Sequence, residues 1–399
     1  MENHTGKDLA LVIMVMGLGV LAIAMLQPVL PLYLTSIGTR PEILGLMFSV
    51  AMVGMMLGES GWGWAADRVG VRIPMIVGTI VSASVVICFA FTRNTIIIFI
   101  IFFFWGAFRS ALFGPGRGFI GTAAPPAKKA TYMAIISVLL SASRSLGALP
   151  SGFLADHWGY HSVIYVSCGT AFIAGLILLK GPQKRIDPEE TPASPAGRIK
   201  LKLLIAVYQP LAPQCLVAFF NYLGLGAYIT FLPLLATQVI GVSATKVGIL
   251  FTLGGMVAVV FGIPMGIVAD RTSKKITMIM GLVLSTIALI AMPWAGNYLW
   301  LLGFVILRSI GMVTFSPAAL GLLSESIPSN RQSTVMGIYG GLCENSGVIT
   351  GSALGGLIWS TIGPWGTFLL GGIASALGAL VCLLFISPQK GQRNGEANT

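Results

Sequence analysis

GWAADRVGVR, residues 63–72, returns 203 residues later as GIVADRTSKK, residues 266–275. The same offset joins Gly45/Gly248, Gly78/Gly281, Asn94/Asn297, Pro125/Pro328, Met133/Met336, Gly152/Gly355 and Gly175/Gly378. One spacing held this far along a chain marks an internal duplication. Both loops are polar and basic and stand between long apolar runs, so each is a turn at a water boundary. Copies on the same side require an even number of crossings per unit, and the units are therefore parallel. Because a span takes roughly 20 apolar residues, the 203-residue period accommodates six.

Working outward from the two loops, twelve apolar runs fall at 9–34, 43–65, 73–91, 95–121, 131–155, 161–180, 211–237, 245–268, 276–294, 298–323, 333–359 and 364–387. Only 9% of the 399 residues are charged and 55% are hydrophobic, against about 25% charged in a soluble domain. A soluble enzyme and a disordered chain are both excluded. The 50 Gly and 21 Pro suit membrane helices, which carry more of both than soluble ones. The fold predicted is all-α: twelve transmembrane helices in two parallel six-helix bundles, 1–180 and 208–399, joined by a polar linker at 181–207.

The net charge of +11 is a matter of topology rather than of a nucleic-acid partner. Lys and Arg crowd the loops on the side of the two signatures, while the opposite loops hold only Arg40, Arg93 and Lys246. The positive-inside rule then makes the signature side, both termini and the linker cytoplasmic. Trp158, Trp294, Trp300, Trp359 and Trp365 are expected as an outer aromatic belt. The run from Leu9 to Leu34 is too long for a signal-peptide core and is expected to stay as the first span. Five Cys lie in apolar runs with no metal-ligand spacing and read as packing residues. There is no GxxxxGK[ST], HExxH, CxxC or catalytic triad, so neither ATP, metal nor cofactor is expected, and the chain is not read as an enzyme.

Gly63, Asp67, Arg68, Gly70 and Arg72 give the first loop the form Gly-x-x-x-Asp-Arg-x-Gly-x-Arg, which resembles the loop signature of the major facilitator superfamily. The second copy, with Asp270 and Arg271, resembles that family's weaker repeat. QPVLPLYL in helix 1, Arg308 with Pro317 in helix 10, and PSNRQSTVMG after helix 10 resemble it too. The resemblance implies a transporter whose Asp67, Arg68 and Arg72 join a charge network with the far half to close the inner mouth. Physics supports a gate: Gly63 permits close helix approach, and Asp67 ends a helix where the dipole disfavours an anion. The alternative is that Asp67 merely caps helix 3.

Ionisable residues inside membrane helices are costly and read as functional. They are Glu59, Arg109, Arg117, Arg144, Arg308 and Glu344. Glu59 and Arg117 lie near enough to helix ends to snorkel. The offset maps Glu344 onto Ser141, one turn from Arg144, so opposite charges come from symmetric depths as a binding site or a structural pair. It sets Trp105, not Arg109, opposite Arg308. Met14, Met16, Met25, Met47, Met52, Met55 and Met56 are pocket-lining candidates or simple packing. His157 and His161 read as solvated loop residues.

LQPVLPLYLTSIG and FLPLLATQVIG resemble the twelve-helix drug/proton antiporter branch. That implies a proton-coupled exporter of an amphipathic small molecule. A monomer in the plasma membrane is expected, and because Glu59 and Glu344 are the carboxylates within predicted spans and Glu344 lies near the midplane, Glu344 is expected to couple transport. Helix 1, however, has no membrane carboxylate, and SASRSLGALPSG lacks the Gly-Pro pair of that branch's helix 5. An organic-anion symporter or exchanger remains the alternative, and a non-transporting membrane sensor a more distant one.

Overall fold

The computed structural model describes residues 2–123, 129–181, 211–326, 335–336 and 339–386. The first half comprises α1 (Glu2–Ser36), α2 (Pro41–Val69), α3 (Arg72–Ile87), α4 (Thr95–Arg109), α5 (Lys129–Trp158) and α6 (Tyr160–Ile177). A 3-10 turn at Ser110–Leu112 and a helix at Gly114–Ala123 extend α4. The second half comprises α7 (Ala212–Leu234), α8 (Ala244–Arg271), α9 (Lys274–Ala291), α10 (Tyr298–Glu325), α11 (Asn345–Thr361) and α12 (Pro364–Phe385). A π-helical turn at Tyr339–Glu344 leads into α11. Ten crossings are long and apolar enough to span a bilayer unaided, and α5 and α11 complete the twelve. Most of the linker and of the PSNRQSTVMG loop lies outside the described residues.

The duplication is written into packing as well as sequence. Asn94 and Asn297, one offset apart, each cap the following helix: Oδ1 accepts from Ile96 N at 2.9 Å and from Trp300 N at 3.1 Å. Gly78 and Gly281 each let the third helix of a half press against the fourth, at Phe108/Ala111 and Gly311/Phe315. Arg72 Nε donates to Leu178 O at 3.1 Å and its Nη2 to Leu179 O. Its repeat partner Lys275 donates from Nζ to Leu383 O at 2.7 Å. A cation thus clamps the C-terminal carbonyls of the sixth helix in each half, where the helix dipole welcomes it.

The halves meet chiefly at two crossings, α2 on α11 and α5 on α8, with smaller contacts of α1 on α7 and α8. Both use the duplicated Gly45/Gly248 pair: a Cβ on Gly45 would collide with Ser352 O, and one on Gly248 with Ala148 O. The repeat partners Ser49 and Thr252 then bond across, Ser49 Oγ to Ile349 O at 2.7 Å and Thr252 Oγ1 to Ser145 O at 2.9 Å. From these crossings α2 and α8 run to Asp67 and Asp270, which therefore share the far, signature end. There the helices splay. A Cβ on Gly63 or Gly266 would meet nothing within 4 Å, and Trp64, Val260, Ile263 and Ile267 are exposed. Among the described residues, the molecule is sealed at one end and open at the signature end.

Trp158, Trp294, Trp300 and Trp365 are exposed as a belt requires, but Trp359 is not one of them. It is buried and stacks on Phe231 with ring centroids 5.4 Å apart. Its place on the inward face of α11 overrides its depth in the sequence.

Candidate functional site

A cavity of about 480 Å³ lies between the halves. Its wall takes Gln27 from α1, Met52 and Met55 from α2, Trp105 and Arg109 from α4, Ser141 and Arg144 from α5. The second half contributes Tyr222 and Tyr228 from α7, Phe251 from α8 and Asn345 from α11. Apolar and aromatic faces dominate, with a few polar groups aimed inward, as in small-molecule sites.

Arg109 sits where α4 tightens into the 3-10 turn. Its guanidinium lies over Trp105, 4.4 Å from the ring centroid, so the ring at Arg308's repeat position supports the arginine of this half. Nη2 reaches the Met52 and Met55 sulfurs at 3.5 and 3.6 Å, weak acceptors, and Nε has no hydrogen-bond partner among the described residues. Arg144 projects into the cavity and is exposed there. Arg308 is 1% exposed, behind the wall rather than on it. It holds Ser285 Oγ at 3.3 Å and the Tyr228 ring at 5.9 Å, leaving Nε and Nη2 without partners among the described residues.

The expected Arg144–Glu344 pairing is not formed. Glu344 closes the π-helical turn before α11 and is hydrogen-bonded by the Tyr222 hydroxyl, with Arg117 as a cation that acts on it. The π-turn and the bulk of Tyr222 place this carboxyl against α7 rather than across the cavity. Glu59 is half-buried near Arg117 and Arg109. Among the described residues the ion pairs are Arg40–Glu42 and Lys274–Glu325, both outside the cavity.

At the signature loop, Asp67, Arg68, Asp270 and Arg271 are exposed. Arg68 covers the Trp64 ring at 3.9 Å. Gly70 ends α2 at φ 84°, a conformation that a side chain would strain. Among the described residues the network with the far half implied by resemblance is not formed, and Arg72 is committed to the end of its own α6. A Cβ at Gly63 would likewise meet no described neighbour, and the close approaches of α2 to α4 use Gly54 and Gly58 instead. Met52 and Met55 line the cavity, whereas Met14 is exposed and Met16, Met25 and Met47 are core.

Several cavity residues carry no charge to mark them in the sequence. Gln27, Tyr222, Tyr228 and Asn345 are uncharged polar residues inside apolar runs. So is the fully buried Asn221, whose Nδ2 donates to Met312 Sδ at 3.4 Å. Asp156, on the last turn of α5, was invisible for another reason: its partners belong to the other half. It accepts from Ala244 N at 3.0 Å, Thr245 N at 2.8 Å and Thr245 Oγ1 at 2.5 Å. It therefore caps the N-terminus of α8 across the sealed end. At the other crossing the chemistry is swapped: Glu42, at the repeat position of Thr245, accepts from the Oγ of Ser360, one residue beyond the repeat position of Asp156.

A family model described as Major Facilitator Superfamily matches residues 11–212 and 214–399. The quinolone resistance protein NorA of Staphylococcus aureus (strain MSSA476) is 25% identical over 331 residues, covering 81% of each chain. The multidrug resistance protein MdtG of Klebsiella pneumoniae (strain 342) is 25% identical over 372 residues, covering 88% of this chain and 86% of its own. Among solved structures, the nucleoside transporter NupG superposes with a TM-score of 0.80 at 13% identity, covering 94% of this chain and 98% of its own. A D-xylose-proton symporter gives 0.77 at 16% identity, covering 96% and 99%.

Proposed function

We propose, from the premise that this chain belongs to the Major Facilitator Superfamily and is a secondary transporter of small molecules, that it exports an amphipathic compound in exchange for protons. The observation that carries the proposal is the aromatic and Met-rich cavity, open at the signature end and sealed at the other. The basic loops assign the signature end, both termini and the 181–207 linker to the cytoplasm, so substrate enters from inside. The halves 1–180 and 208–399 then rock as monomer bundles in the plasma membrane. The two outer crossings part while Gly63 and Gly266, free of side chains, let the signature ends close. Likeness to NorA and MdtG supports export rather than uptake.

In this mechanism Arg109, Trp105 and the Met52/Met55 thioethers position the substrate. Glu344 with Tyr222 is the proton-accepting site, because a carboxyl held by a phenol on α7 changes its surroundings when α7 and α11 rock against the first half. Asp67 and Arg68 meet the second half only in the inner-closed state. Everted vesicles with an acidic interior, loaded externally with a fluorescent amphiphile, test the whole reading. Uptake that collapses with a protonophore is expected, and movement indifferent to the proton gradient refutes proton exchange.

A further inference from the structure

Three guanidinium groups crowd the centre of the protein. Arg109 stands near Arg144, and Arg144 near Arg117. Two carboxylates are close: Glu59 faces Arg117 and then Arg109, and Glu344 takes the Tyr222 hydroxyl and faces Arg117, so Arg144 is the guanidinium that neither serves. Arg144 interacts with Arg117, Arg109 and the Tyr222 phenol rather than with an acid. None of the three arginines forms an ion pair among the described residues. Arg109 and Arg144 line the cavity, whereas neither glutamate does. Like charges inside a low-dielectric protein repel strongly, and cations at membrane depth are costly unless paired. The cavity wall is therefore short of negative charge.

We propose that the transported compound is an organic anion, a carboxylate or sulfonate on an aromatic body, which Arg144 and Arg109 grip together. The proposal rests on the transport reading above and gives its substrate a charge. The oxyanion accepts from Arg144 and from the Arg109 donors that now face only thioether sulfurs. Charge-assisted bonds of this kind are the strong ones. The rings of Trp105, Tyr222 and Tyr228 take the apolar body. A cationic amphiphile would add a third charge to the same wall, and a neutral one would leave Arg144 unpaired.

Three probes with one ring system separate these cases: 1-naphthaleneacetate, its neutral acetamide, and 1-naphthylmethylammonium. Each is titrated against purified protein while thermal unfolding is followed, since ligand bound to the native state raises Tm. The acetate is expected to raise Tm most and the ammonium least. Arg144→Gln should weaken acetate binding about tenfold or more and bring it level with the acetamide. Arg144→Lys should retain part of the preference, and Arg93→Gln, on the outer surface, all of it. An acetate that binds no better than its amide overturns the proposal, a result that needs only the unaltered protein. So does undiminished acetate binding in folded Arg144→Gln. Failure of proton-driven export in everted vesicles leaves these binding results standing, so the two readings fail separately.

Discussion

Replacing Asp156 with Ala should tip the protein toward an outer-open state. The carboxylate accepts three hydrogen bonds from Ala244 and Thr245 at the start of α8, and these break when the outer end parts. Losing an acidic N-cap costs about 0.5–2 kcal/mol, and the anion at a helix N-terminus adds about 0.3–1 kcal/mol. Asp156 is exposed, so screening keeps the total near about 1–2 kcal/mol. That is roughly a five- to thirtyfold change in the ratio of outer-open to outer-closed protein. Spin labels at the exposed positions Ser36 and Ile362, with the five native Cys replaced, report this ratio as two distance populations. Burial pushes the Asp156 carboxyl up, but hydrogen bonds from Thr245, Ser243 and Ala244 outweigh it and hold it below the usual carboxylate range. The latch is therefore complete above the ordinary carboxylate pKa and is lost only as pH falls through the depressed one. Between pH 5 and 8 the distances should not depend on external pH through this group. A distance distribution for Asp156→Ala that matches the unaltered protein would refute the latch.

Glu344→Gln should abolish proton-driven transport while substrate exchange in counterflow persists; equal loss of both modes, with lowered Tm, assigns Glu344 a structural role instead. Asp67→Asn should leave Tm unchanged, because Asp67 is exposed in the inner-open state. It should nevertheless cut transport severalfold, and an inert substitution ends the gate argument. Arg308→Met should raise thermal stability by about 1–4 kcal/mol, since it removes a buried cation with two partnerless nitrogens. Transport should fall at the same time, and a destabilised variant would show that Ser285 and Tyr228 hold the charge better than their geometry implies.

Hydropathy, the 203-residue offset and the Lys/Arg distribution were sufficient for twelve crossings, parallel halves and a loop signature, and the reason is physical. A bilayer forces every span to satisfy its own backbone, so span and turn are properties of local sequence. Asn94 and Asn297 as caps, and Gly45 and Gly248 as contact points, were visible as a repeat before their roles were known. Tertiary structure alone decided which polar residues meet. It bonded Glu344 to Tyr222 rather than Arg144, turned Trp359 inward, tied Arg72 to α6 and joined Asp156 to α8. Each of those outcomes depends on helix rotation and on contacts between segments about 90 to 130 residues apart, set by packing. A one-dimensional pattern fixes how deep a residue lies in the membrane but not which neighbour it faces.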